Sequence, residues 1–245
     1  MLGGVPYSLA IRRSRLSFIA RSIEQRGLCL DLGSPALHAQ GGHDREPVSL
    51  RGVAALDPLS TASRAIASLE DGRRVVAVDG LDGAGKTTFA DRLAGVVERP
   101  TVRASVDDFH HPRAHRYRRG RDSPDGFYLD SFDYQCLANI LLEPFRAGAP
   151  FRLRAFDHRS DTPVNAPQED AVSNAVLILD GLFLHRPELR HWWDTSILLD
   201  VPPAVAAARL QRRDGAPPNA RYVGAQEMYF QLADPRRHAV LVLPW

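Results

Sequence analysis

The segment Gly80-Leu81-Asp82-Gly83-Ala84-Gly85-Lys86-Thr87 constrains this chain more than any other, because of what stands on either side of it. Arg74 to Asp79 (RVVAVD) is a short β-branched run that reads as a buried strand, and Lys86 to Val97 reads as a helix. A G-x-x-x-x-G-K-[ST] turn between a strand and a helix aims successive backbone N–H groups inward, at a helix start that carries partial positive charge. Phosphate oxygens fit such a cradle. Gly80, Asp82, Gly83, Ala84, Gly85, Lys86, Thr87 and Thr88 are therefore the expected nucleotide-binding residues, with Lys86 reaching the outer phosphates and Thr87 offering its hydroxyl to Mg²⁺. A glycine turn with a chance lysine is the alternative, and the full match in the required strand-to-helix setting argues against it. ATP with Mg²⁺ is the expected ligand.

Alternation continues along the chain and sets the fold class. Pro58 to Leu69 reads as a helix, Val102 to Val106 as a strand, Phe132 to Leu142 as a helix, Ala175 to Asp180 and Thr195 to Val201 as strands, and Pro203 to Arg213 as a helix. Strands alternating with helices predict an α/β fold, a parallel sheet covered on both faces. The domain is expected over residues 56–245. Residues 1–55 lack sustained periodicity and carry punctuation such as Gly33-Ser34-Pro35, so they are expected to form a poorly ordered extension. Its Arg-rich, acid-poor opening is compatible with a transit peptide, a flexible tail or a misassigned start codon.

Carboxylates at strand ends are the candidate chemistry, since ligands of open α/β sheets bind outside the carboxyl edge. Ala104-Ser105-Val106-Asp107-Asp108-Phe109-His110 places Asp107 where it could take the proton of an attacking hydroxyl, although an aspartate there could equally cap the next turn. Val176-Leu177-Ile178-Leu179-Asp180-Gly181 is an apolar strand ending in an acid that could help hold Mg²⁺, a pattern that many buried strands share. Arg209 and Arg213, four apart, fall on one helical face and could cover a transferring phosphoryl group or simply meet solvent. The basic run His110 to Arg121 reads as a solvated loop near an anionic substrate, and a nucleic-acid partner is disfavoured because a second basic element and a recognition fold are missing.

Composition narrows the class further. The chain has 31 Lys and Arg, of which Lys86 is the single lysine, so an Asn-Lys-x-Asp guanine-reading motif is impossible and a Ras-like GTPase is disfavoured. The arginine excess reads as compositional drift, against which a slim ammonium has been kept inside a tight loop. The net charge of +2 carries no inference about partners. No apolar run approaches the roughly 18 residues of a membrane helix, so no membrane role is expected. Cys29 and Cys136 are isolated, with no metal spacing, and a reducing, cytoplasmic home is expected.

In this order and spacing, VDGLDGAGKTTFA (Val78 to Ala90), SVDDFH (Ser105 to His110), DGFYLDSFD (Asp125 to Asp133), RAFDH (Arg154 to His158), LILDG (Leu177 to Gly181) and RLQRRD (Arg209 to Asp214) resemble the uridine kinase family, within the group that includes phosphoribulokinase and bacterial pantothenate kinase. The resemblance spans roughly Val75 to Val242. It implies a P-loop fold with a five-stranded parallel sheet and a small lid, use of Mg-ATP, and phosphorylation of the 5′-hydroxyl of uridine or cytidine. It also implies that Asp107 is the catalytic base beside Lys86, that Asp180 and Thr87 hold the metal, and that Arg209 and Arg213 belong to the lid. Asp108, Phe109, Asp125, Asp130, Phe156 and His158 are the implied acceptor-binding residues. The departures lie at the acceptor: Ala155-Phe156-Asp157-His158 keeps only part of the family's Pro-Tyr-Asp-Phe segment, and Asp125 to Asp133 is shifted from its ribose-binding stretch. Ala239 to Trp245 reads as the last strand, ending where relatives continue into a polar turn. A homo-oligomer is compatible with all of this. The rival readings are a kinase for another small acceptor, pantothenate or a sugar phosphate, and a non-catalytic ATP-binding regulator.

Overall fold

The computed structural model of the protein describes residues 57–245, so the extension expected over 1–55 lies outside the described residues. Helix α1 (Pro58–Ala67) starts where Asp57 accepts the Ser60 N–H at 3.1 Å and Pro58 fills a position needing no donor. Strand β1 (Arg74–Gly80) follows and runs into the glycine turn, after which α2 (Lys86–Val96) begins. Next come β2 (Thr101–Ser105), a 3₁₀ turn over Val106–Phe109, and two short helices, α3 (Arg113–Arg116) and α4 (Pro124–Asp130).

Five strands form one parallel sheet in the order β2-β5-β1-β6-β7, where β5 is Val176–Asp180, β6 is Thr195–Leu199 and β7 is Leu241–Leu243. The five-stranded parallel expectation holds. Alternation along the central strand divides the core in two. Val75 and Ala77 pack with Phe109, Phe127, Phe183 and Tyr229 on one face, while Val76 and Val78 pack with Leu59, Ile66, Phe89 and Leu93 of α1 and α2 on the other. Both faces are covered, which is why β1, β5 and β6 read as continuous apolar runs rather than alternating ones. Among the described residues no helix is long and apolar enough to cross a membrane.

The helix expected over Phe132 to Leu142 is instead three pieces: α5 (Tyr134–Leu137), a π turn over Ala138–Leu142, and α6 (Glu143–Ala147). Pro144 explains the interruption. It has no N–H to give the carbonyl four residues back, and that carbonyl, of Ile140, accepts from Arg152 N at 2.8 Å instead. A two-residue hairpin, β3 (Phe156–Asp157) with β4 (Thr162–Pro163), was not foreseen. After β6 come α7 (Pro203–Asp214), α8 (Ala220–Ala233) and α9 (Pro235–His238). Helix α8 was also missed. Asn219 caps it, accepting from Arg221 N at 2.8 Å, and Gly224 lets it lie against α4, since a Cβ there would come within 2.9 Å of Pro124 Cγ.

Candidate active site

Register alone brings three chemical groups to one edge. Val78 of β1 pairs with Asp180 of β5, which pairs in turn with Ser105 of β2, so the glycine turn, Asp180 and the Asp107 segment leave the sheet side by side. This is the carboxyl edge, where the chain ends of parallel strands open a crevice.

The glycine turn is held from below and from the side. Asp79, fully buried, accepts Gly80 N at 2.7 Å through Oδ1, while its Oδ2 accepts His185 N at 3.1 Å, His185 Nδ1 at 2.8 Å and the Tyr229 hydroxyl. Gly83 and Gly85 have φ of 80° and 87°, a region costly for any residue with a Cβ. At Gly83 there is no space either, because a Cβ would lie 2.5 Å from the Ala206 carbonyl of α7. Gln226 of α8 accepts Asp82 N at 2.6 Å, and Arg209 of α7 donates to Ala84 O at 3.2 Å. Lys86 Nζ rests on Leu81 O at 3.0 Å.

Thr87 Oγ1 donates to Asp180 Oδ2 at 2.8 Å, and Arg103 holds the other oxygen of this buried carboxylate at 2.8 Å. A hydroxyl and one oriented carboxylate suit Mg²⁺, which takes one or two protein oxygens and completes its shell with phosphate oxygens and water. Among the described residues there is no group of three or more His, Cys, Asp or Glu that could hold a metal ion.

Asp107 lines a cleft of about 790 Å³ that is also lined by Lys86, Thr87, Asp180 and His158. The carboxylate is exposed, but into the cleft rather than onto a convex surface. Desolvation by the surrounding protein raises its pKa above the ordinary aspartate value, and the positive charge of Lys86 only partly offsets this. Its backbone is fixed as well: Asp107 O accepts from His110 Nδ1 at 2.8 Å. Burial depresses the His110 pKa to about 4, so the ring is neutral at pH 7 and its Nδ1 carries the donated proton. The His110 ring rests between Phe132 and His158, with centroids at 4.5 and 4.8 Å.

The expected residues divide into those that line the cleft and those that do not. Asp82, Gly83, Gly85, Lys86, Thr87, Thr88, Asp107, His158, Asp180, Arg209 and Arg213 share it, with Gly80 and Ala84 in the turn just behind. Phe109 and Phe156 are buried away from it. Asp130 is buried outside it, its two oxygens taken by Arg118 at 2.5 Å and Arg119 at 2.7 Å. Asp125 is exposed in the first turn of α4, and Asp108 pairs with Arg154 at 2.8 Å. The run from His110 to Arg121 is not a solvated loop throughout: it contains α3, and Arg116 is only 8% exposed. Sequence reasoning missed Phe127, Arg221 and Tyr222 as cleft walls, since α4 and α8 reach the site only through tertiary packing, and it put Arg116 and Tyr117 near a substrate but in a solvated loop rather than in a wall.

Comparison with known proteins agrees with this fold. A solved structure described as a possible uridine kinase from Bacillus stearothermophilus is 26% identical, with a TM-score of 0.61 over 76% of this chain and 96% of its own. A second, described as a candidate fructose transport system kinase from Silicibacter sp., is 25% identical, with a TM-score of 0.59 over 76% of this chain and 98% of its own. No curated protein matches the chain. The sequence profile of the Phosphoribulokinase / Uridine kinase family matches residues 75–221, a span that begins in β1, takes in the glycine turn, Asp107 and Asp180, and ends at Arg221, and the chain belongs to that family.

Proposed function

We propose that this protein transfers the γ-phosphoryl group of ATP to a hydroxyl of a small acceptor, with Asp107 as the base. The single observation that carries the reading is Asp107 itself, a carboxylate of raised pKa in the same cleft as Lys86 and the glycine turn. The turn amides and Lys86 hold the β- and γ-phosphates, while Arg209 and Arg213 lie over the transferring group. The acceptor hydroxyl gives its proton to Asp107 as its oxygen bonds to the γ-phosphorus. The bond from that phosphorus to the β,γ-bridging oxygen breaks, and ADP leaves. Mg²⁺, when bound through Thr87 and Asp180, neutralises charge on the phosphate oxygens.

The 5′-hydroxyl of uridine or cytidine is the acceptor that the sequence resemblance favours, and the aromatic wall of Phe127 and Tyr222, whose centroids are 4.4 Å apart, offers apolar surface to a planar base. A second reading, an acceptor such as pantothenate or a sugar phosphate, is favoured by one observation: Arg221 is buried in the cleft wall without an acidic partner among the described residues. The test is ATP consumption with Mg²⁺ against nucleosides, pantothenate and sugar phosphates, with Lys86→Ala as the blank. Turnover that needs an acceptor and is lost by about 10²–10⁴-fold in Asp107→Asn supports the assignment. Tight ATP binding with no turnover across the panel sinks it in favour of a nucleotide-binding regulator.

A further inference from the structure

The acceptor end of the cleft carries uncompensated positive charge. Arg221, in the first turn of α8, is 5% exposed, and its one hydrogen bond from the guanidinium runs from Nη2 to Arg116 O at 3.1 Å. Its Nε is buried without a partner, and no acid within 4.0 Å forms an ion pair with it among the described residues. A buried guanidinium is tolerated when a counter-ion meets it and is costly otherwise. Its position adds to that cost, because the N-terminal turn of a helix favours anions and repels cations. Tyr117 and Phe127 hold the guanidinium in place, with ring centroids 4.6 and 5.3 Å from its central carbon.

Arg116 stands beside it, 8% exposed, with its own Nε buried and unpartnered. Its Nη2 reaches Asp161 at 3.0 Å, so this one acid meets one of two guanidinium groups. Arg159, exposed in the same wall, adds a third charge with no ion pair among the described residues. On the nucleotide side Arg213 is matched by Asp214 and Asp180 by Arg103, while Lys86 and Arg209 donate only to backbone carbonyls and are the cations left for the phosphates of ATP.

Of the two acceptor readings above, we infer that the second holds against uridine or cytidine: the acceptor is an anion, a small hydroxylated compound bearing a carboxylate or a phosphate, and Arg221, with Arg116 and Arg159, is the seat of that group. A planar guanidinium whose Nε has no partner matches either anion through paired N–H donors, which an ammonium would not do. The inference rests on the kinase reading for the word acceptor, but the seat is tested by binding and needs no turnover.

Calorimetric titration would be run on the full chain with Mg²⁺ and a saturating non-hydrolysable ATP analogue, so that the glycine turn is already filled. Ribose 5-phosphate and gluconate are the two anionic probes, one for each head group, and ribose and uridine are the neutral ones. At least one anion is expected to bind tenfold or more tightly than both neutral compounds, and Arg221→Gln is expected to remove that preference. Because Arg221 is buried and its replacement could disturb the fold, Arg159→Gln serves as the second variant, with an expected loss of threefold or more. Neutral compounds binding as tightly as either anion, or a preference unchanged in both variants, would overturn the seat. An intact preference without phosphate transfer would leave the seat standing and sink the kinase reading alone.

Discussion

On the proposed assignment of Asp107 as the base, this residue trades stability for chemistry. Its pKa is raised in the folded state, so the ionised form is penalised by folding. That penalty is present above the raised pKa and absent below the ordinary aspartate value of about 3.9. Asp107→Asn is therefore expected to raise the melting temperature at neutral pH, with the gain vanishing as the pH falls below that value, while turnover collapses. In the unaltered protein, turnover should decline with falling pH through an inflection above the ordinary aspartate value, because the base must be ionised. A stability gain that persists at low pH would point to relieved packing rather than relieved desolvation. Gly181 is the second sensitive position. A Cβ there would lie 2.0 Å from Val106 Cγ1, and Val106 precedes Asp107. Gly181→Ala should cost about 1–3 kcal/mol in chemical denaturation. By displacing the base, it should also cost roughly tenfold to a hundredfold in kcat.

At the scale of elements, α8 ties the far wall of the cleft to the glycine turn. Tyr229 reaches Asp79 under the turn, Gln226 takes Asp82 N within it, and Arg221 and Tyr222 form the far wall of the cleft. Gln226→Leu leaves Asp82 N without its partner, so a loss of about 1–3 kcal/mol in stability is expected. KM for ATP should rise more than KM for the acceptor, and equal rises would mean that the helix as a whole had moved. None of this was legible in the sequence. The buried side of α8 carries Arg221 and Gln226 among its apolar residues, so no clean apolar stripe marks it. The glycine turn and Asp180 were legible because their signals are local: a motif bounded by a strand and a helix, and an apolar run ending in an acid. Asp130 misled for the opposite reason, since nothing nearby in sequence reveals that Arg118 and Arg119 consume its charge.

For the whole molecule, the nucleotide half of the cleft is assembled from parts far apart in the chain: the turn after β1, the start of α2, Asp180 and the arginines of α7. A ligand that touches all of them exists only for the folded state, so its binding free energy adds to stability. At a concentration one hundred times Kd, a non-hydrolysable ATP analogue with Mg²⁺ should add about 2.7 kcal/mol. For a domain of this size that corresponds to a rise of roughly 5–10 °C in Tm. Lys86→Ala should abolish the rise, because the ammonium is the one cation of the turn and no other lysine can replace it. Asp107→Asn should keep it in full, on top of its own stabilisation. The two variants thus separate nucleotide capture from proton transfer in one thermal-shift series. If Asp107→Asn lost the rise as well, the carboxylate would be supporting the nucleotide half of the cleft, and its role as base would have to be abandoned.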